Sequence, residues 1–238
     1  MKRKNFSAEK RNKAARIIGI LLFTSLVISL IYSFVRFCMA PSEPLDDQMY
    51  EKVKADYLLM FVQCLLGTVV MMLPSILEKH FKIVVPTAIV ILYFVFLYCA
   101  IYLGEMHDFY YIIPHWDTIL HAFSGAMLGA LGFILVDILN KDQHIRVSLS
   151  PFFVAVFAFC FALAVGSLWE IYEFTFDAVL GLNMQKHTTE AGVALVGVQA
   201  LSDTMKDIIV DALAALCVAI FGFMTERKNR DNSQEVET

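Results

Sequence analysis

An all-α membrane protein, a polytopic helical bundle of about six transmembrane helices, is the fold class this sequence predicts, and three observations lead to it. Apolar stretches of about twenty residues recur along the whole chain, the length a helix needs to cross a hydrocarbon core of about 30 Å. Hydrophobic residues make up 58% of the 238 and charged residues only 18%, too little polar surface to cover a soluble globule. The charges are gathered into tails and connections, and no remaining segment is long enough for a separate soluble domain. The expectation is one integral domain over 1–238, with a basic tail at 1–14, a six-span bundle over 15–223 and a polar tail at 224–238.

The first span is expected at about 15–37. Its basic start resembles a signal peptide, but the apolar run from Ile17 to Phe34 is longer than a signal core and no small-x-small site closes it, so it reads as an uncleaved span. Pro41 and Pro44 mark the connection to a second span at about 57–77, and Pro74 and Pro86 flank the turn into a third at about 83–103. Pro114 precedes a fourth at about 117–139, and Pro151 opens a fifth at about 151–176. The segment Gly181 to Leu201 turns apolar and glycine-containing at its middle yet is too short to span. It reads as an interfacial or partly re-entrant loop buried against protein. A sixth span at about 203–223 completes the set.

Orientation follows from lysine and arginine, which remain on the cytoplasmic side. Lys2 through Arg16, Lys79 with Lys82, Lys141 with Arg146, and Arg227 through Arg230 alternate with connections carrying Glu43, Asp46, Asp47, Glu105 and Asp108. Both termini are therefore expected in the cytoplasm, although Lys52 and Lys54 weaken the contrast. The net charge of -4 comes with no basic patch interleaved with aromatics, so no nucleic-acid partner is expected and membrane lipid is the surrounding partner. Five cysteines, one per span and without CxxC spacing, suit small buried apolar residues better than a disulfide or zinc framework.

The chemistry concentrates where spans meet the outer boundary. Asp117 and His121 are one turn apart as the fourth helix enters its apolar run. At 1.5 Å per residue from Pro151, Glu170 lies about 28 Å along the fifth span, with Glu173 a turn beyond it. The sixth span descends through Asp203, Asp207 and Asp211 in steps of about 6 Å. Three helices thus bring their ionisable groups to one level, six acids against the single Lys206, a set that low dielectric does not tolerate without cations, protons or water.

Acids with one imidazole suit a divalent ion such as Zn, Mn, Fe or Mg. The expected ligands are Asp117, His121, Asp203 and Asp207, with Asp117 alternatively orienting the imidazole, and Asp211 is the least secure member. Glu170 and Glu173 are candidate general bases, and Lys206 a candidate substrate-phosphate binder.

Plainer readings compete. Asp203 could be a first-turn acid favoured by the helix dipole, Lys206 its pairing partner, Asp177 an ordinary interfacial residue, and His121 a buried imidazole hydrogen-bonded to Asp117. His107, Asp108 and His115 lie just ahead of the fourth span and are weaker ligand candidates. Trp116, Trp169, Tyr110 and Tyr111 read as an interfacial aromatic belt. Ser124, Gly125, Gly129 and Gly132 read as close helix packing rather than a serine nucleophile.

Taken together, Trp116-Asp117-x-x-x-His121-x-x-x-Gly125, Trp169-Glu170-x-x-Glu173 and Gly197-x-Gln199-x-x-x-Asp203-Thr204-x-Lys206-Asp207 resemble the YjdF-like family of bacterial inner-membrane proteins. The resemblance covers about the C-terminal half plus the general hydropathy of the rest, and Asp211 has no confident match in it. It implies a multi-pass protein of the bacterial cytoplasmic membrane and supports Asp117, His121, Glu170, Glu173, Asp203 and Asp207, but it supplies no substrate.

Two functions from different classes fit these residues. One is a metal-dependent membrane enzyme, a hydrolase acting on a lipid or lipid-linked substrate at the outer leaflet. The other is a proton- or cation-coupled transporter or cation-binding protein using the same carboxylates. A third, non-catalytic reading is an assembly factor held together by its polar cluster.

Overall fold

The structure, a computed structural model, describes residues 2–43, 52–81, 85–141, 149–189 and 193–237. Its helices are α1 (Lys2–Met39), α2 (Lys54–Val70), α3 (Leu73–Phe81), α4 (Thr87–Leu97), a π-helix (Tyr98–Met106), α5 (Phe109–Ile112), α6 (Trp116–Lys141), α7 (Pro151–Leu180) and α8 (Val198–Glu237). Six stretches are long and apolar enough to cross a membrane: Asn12–Met39, Lys54–His80, Thr87–Met106, Trp116–Asn140, Pro151–Leu180 and Leu201–Arg230. They coincide with the six expected from apolar length. The single-domain expectation meets a chain whose contacts group into two compact units, residues 1–116 with 175–196 and residues 117–174 with 197–238.

In the first unit, α1, α2 and the α4–π segment meet around Leu22, Leu26, Cys64, Leu97 and Ile101. Arg36 donates to the Tyr57 hydroxyl through Nε (3.0 Å) and Nη2 (2.8 Å), which removes the last cation of α1 from an apolar surface. The second span is broken at Met71 and Met72, between α2 and α3, by Pro74. Proline has no N–H for the carbonyl of Val70 four residues earlier, and that carbonyl accepts instead from the Tyr93 hydroxyl at 2.7 Å. The third span changes character midway, because α4 gives way to nine residues of π-helix that end at Met106.

Beyond the π-helix the first unit is held by charge. Lys52 Nζ lies 2.6 Å from Asp108 Oδ1, and Lys186 Nζ 3.3 Å from Glu105 Oε2. The Lys186 ammonium also stands 4.7 and 5.3 Å from the ring centres of Tyr110 and Tyr111. Burial pushes the Tyr111 hydroxyl above its usual pKa range, and as a hydroxyl it accepts from Asn183 Nδ2 at 3.3 Å.

α7 stops at Gly181, whose φ of +65° suits the left-handed cap and whose N–H donates to the Asp177 carbonyl at 2.9 Å. The loop that follows departs from the expectation of burial along its length. Leu182 and Met184 are buried, whereas Val193 and Val196 are exposed, and residues 190–192 lie outside those described. α8 starts at Val198, five residues ahead of the expected span, because Ala200 and Leu201 are good helix formers once Gly197 has made the turn at φ +63°. Cysteine is another departure: Cys64 is buried, but Cys38, Cys160 and Cys217 are exposed on their helices, and all five are free thiols.

Candidate metal centre

In the second unit each helix carries one inward stripe at a spacing of three or four residues. On α6 it runs His121, Gly125, Gly129, Gly132, Val136; on α7 Ala155, Ala158, Ala162, Gly166, Glu170; on α8 Asp207, Asp211, Ala215, Ala219. Small residues let backbones approach where lipid offers no hydrophobic driving force between helices. A Cβ on Gly132 would lie 2.7 Å from Ala158 Cα, and one on Gly129 3.6 Å from Ala215 Cα. Each stripe ends in ionisable residues. Since α6 and α8 carry theirs near the start and α7 near its end, the close packing of the small residues fixes the level at which the charged ones meet.

His121 is at the centre of that level, 7% exposed. Its Nε2 lies 3.8 Å from Asp117 Oδ1 and 3.8 Å from Glu170 Oε1, and its Nδ1 is 3.2 Å from Asp211 Oδ2. Ser124 Oγ donates to the His121 carbonyl at 2.9 Å and lies 3.2 Å from Asp211 Oδ1. Ligand atoms of Asp117, His121 and Asp207 all fall within 4.8 Å of one another. Glu170 Oε1 is buried with no hydrogen-bond partner among the described residues. A buried acceptor in that condition costs about 1–3 kcal/mol, more if charged, so this oxygen has room for a donor, a proton or a cation.

Asp211, the least secure member of the expected cluster, is its most buried carboxylate at 2% exposure. It occupies space made by glycine: a Cβ on Gly166 would stand 2.5 Å from Asp211 Oδ2, tighter than real Cβ contacts allow. By engaging Nδ1 it leaves Nε2 of His121 facing the other acids, the carboxylate–histidine arrangement that orients metal-binding imidazoles. Ser124, read from sequence as packing, is the second anchor of Asp211. The signal for Asp211 was present in the i, i+4 spacing with Asp207, whereas nothing in the sequence marks Ser124 apart from its distance of three residues from His121.

The other sequence candidates are placed differently. Asp203 and Glu173 are partly exposed and fall outside the group whose ligand atoms lie within 4.8 Å. Lys206 is exposed, because the position next to Asp207 is turned about 100° from the inward stripe. Asp108 is held by Lys52, His107 packs its ring edge-on to Tyr102 at 4.7 Å, and His115 is exposed. The Asp177 carboxylate accepts from the amides of Met184 (2.7 Å) and Gln185 (3.0 Å). Trp116 stacks edge-on with Phe109 at 5.1 Å.

Residues 16–228 match the family described as Predicted membrane protein (DUF2238). The chain belongs to that family. An uncharacterized protein of Thermotoga maritima is 31% identical over 148 residues, which cover 61% of this chain and 67% of the relative. No solved structure matches. Family and relative agree with the resemblance to YjdF-like membrane proteins, and with the six apolar helices they make this a multi-pass membrane protein. The family carries no activity in its description, so function has to be argued from the site.

Proposed function

We propose that Asp117, His121 and Asp207 hold a divalent cation and that the protein is a metal-dependent membrane hydrolase acting on a lipid or lipid-linked substrate at the outer leaflet. The observation that carries this reading is the buried Glu170 Oε1, without a hydrogen-bond partner among the described residues, beside three ligand atoms within 4.8 Å of one another. Oxygen and imidazole donors suit Zn, Mn, Fe or Mg. An ion there supplies a Lewis acid for a phosphoryl or acyl oxygen and acidifies water. Asp211 holds the imidazole in one tautomer, Glu170 takes the proton from the attacking water, and Asp203, Glu173 and the exposed Lys206 meet the substrate headgroup. The distribution of lysine and arginine supports the outer leaflet, and the exposed apolar faces of α7 and α8 supply lipid access.

A second reading, a cation or proton transporter, draws on Asp211, which continues the acidic stripe one turn, about 6 Å, beyond Asp207. Below it the stripe is Ala215 and Ala219, which favours a site over a pathway.

The test is metal content and turnover of gently purified wild type, His121→Ala and Glu170→Gln, each equilibrated with the four metals in turn. The expected result is about one ion per wild-type chain, loss of the ion in His121→Ala, and a Glu170→Gln protein that keeps the ion but no longer releases product from a phospholipid panel. A wild type that holds none of the four ions overturns the proposal. Ion binding with cation flux in proteoliposomes and no hydrolysis replaces it with the transporter.

A further inference from the structure

A cavity of about 290 Å³ lies within the first unit, between the start of α2 and the loop after α7. Nothing in the metal-centre proposal uses it. Its apolar wall is Val53, Leu59 and Leu182, of which Leu59 and Leu182 are nearly fully buried. Its ionisable lining consists of Asp56, Asp177 and His187, and no lysine or arginine is among the described residues that line it.

These groups are fixed by the fold. Asp56 Oδ2 accepts the Val53 N–H at 2.8 Å, which caps α2 and locks that carboxylate at the rim. The Asp177 side chain, 6% exposed, is clamped by the amides of Met184 and Gln185, and its Oδ2 stands 3.4 Å from His187 Nδ1. Two lysines near these residues in sequence are turned to other partners, Lys52 to Asp108 and Lys186 to Glu105 and two tyrosine rings, and Lys54, between Val53 and Ala55, is not among the lining residues. Among the described lining residues the carboxylates thus have hydrogen-bond donors and one imidazole but no lysine or arginine, which leaves a net negative wall on a part-apolar cavity. A bare metal ion does not fit, because among the described residues the group with ligand atoms close enough to share one is the Asp117 set. The volume falls just below the usual range for small-molecule pockets, about 300–1,000 Å³, which limits the occupant to a small molecule of few heavy atoms.

We infer that this cavity is a second binding site, for a small organic amine whose ammonium or guanidinium lies between Asp56, Asp177 and His187 and whose short hydrocarbon body lies on Val53, Leu59 and Leu182. The inference stands independently of the metal centre.

Calorimetric titration of the purified full-length protein in detergent with agmatine, and with glutarate as an anionic counterpart of similar length, tests it. Agmatine is expected to bind and glutarate not. Ala55→Leu, which fills the cavity without removing a charge, and Asp56→Asn, which removes one carboxylate charge, should each weaken agmatine at least tenfold. His121→Ala should bind it as wild type does. Equal affinity for glutarate, agmatine binding that survives Ala55→Leu in folded protein, or no binding at millimolar agmatine overturns the inference.

Discussion

In the unit formed by residues 1–116 and 175–196, three carboxylates near the end of the π-helix and the end of α7 each face a donor supplied by the chain. Glu105 faces the Lys186 ammonium, Asp108 faces Lys52, and Asp177 faces two backbone amides. In the unit formed by residues 117–174 and 197–238, Asp117, Glu170, Asp207 and Asp211 share one imidazole and one serine hydroxyl. In the first arrangement these three acids each have a partner within the chain, and the pairs with Lys186 and with the Met184 and Gln185 amides hold the loop after α7. The second gathers four acids around one imidazole and leaves Glu170 Oε1 without a hydrogen bond among the described residues, an arrangement that the proposed cation would stabilise.

The sharpest way to break this contrast is to remove one charge from each unit in chelator-treated protein. Lys186→Met leaves Glu105, whose side chain is 11% exposed, without its cation, and should lower stability by about 3 kcal/mol. Asp207→Asn removes an acid that has no cation of its own and should leave the unfolding midpoint unchanged or raise it. Thermal unfolding in one detergent reads both, and equal destabilisation would erase the distinction between the units.

Gly166→Ala is expected to come next. The added methyl collides with Asp211, so the side chain must shift, at a cost of about 2 kcal/mol for overpacking and at least a tenfold loss of metal affinity as His121 loses its orientation. A variant that binds metal as wild type does would show that Asp211 is only packing. The smallest effect is expected for Lys52→Ala. That pair is 24% and 34% exposed, so less than about 1 kcal/mol should be lost, and salt should reduce the difference further.

Much of this was legible in the sequence because membranes impose simple rules. Apolar length located all six spans, and helical rise brought Asp117, His121, Glu170 and Asp207 to one level before any contact was known. Depth along a helix, however, says nothing about azimuth. Lys206 and Asp207 are adjacent in sequence, yet one is exposed and the other buried, and the stripe of Ala215 and Ala219 below is what marks the inward face. Read with that stripe, Asp211 would have ranked first among the acids instead of last. The π-helix had no legible signal, since no residue pattern in Tyr98–Met106 separates it from a continuing α-helix, and the break before Pro74 is stabilised by a tyrosine from another span that no local pattern reveals.

The π-helix also makes the third span a counting device. In an α-helix, residues four apart drift by about 40° around the axis, whereas the wider π turn reverses the sense of that drift and offsets it. Leu97 and Ile101 can therefore face the core while Glu105, two such steps along, still meets Lys186. Removing one residue between Tyr98 and Gly104 would change the phase of everything beyond it, and the loop after α7 would lose its anchor. Here the number of residues, more than their identity, carries the information.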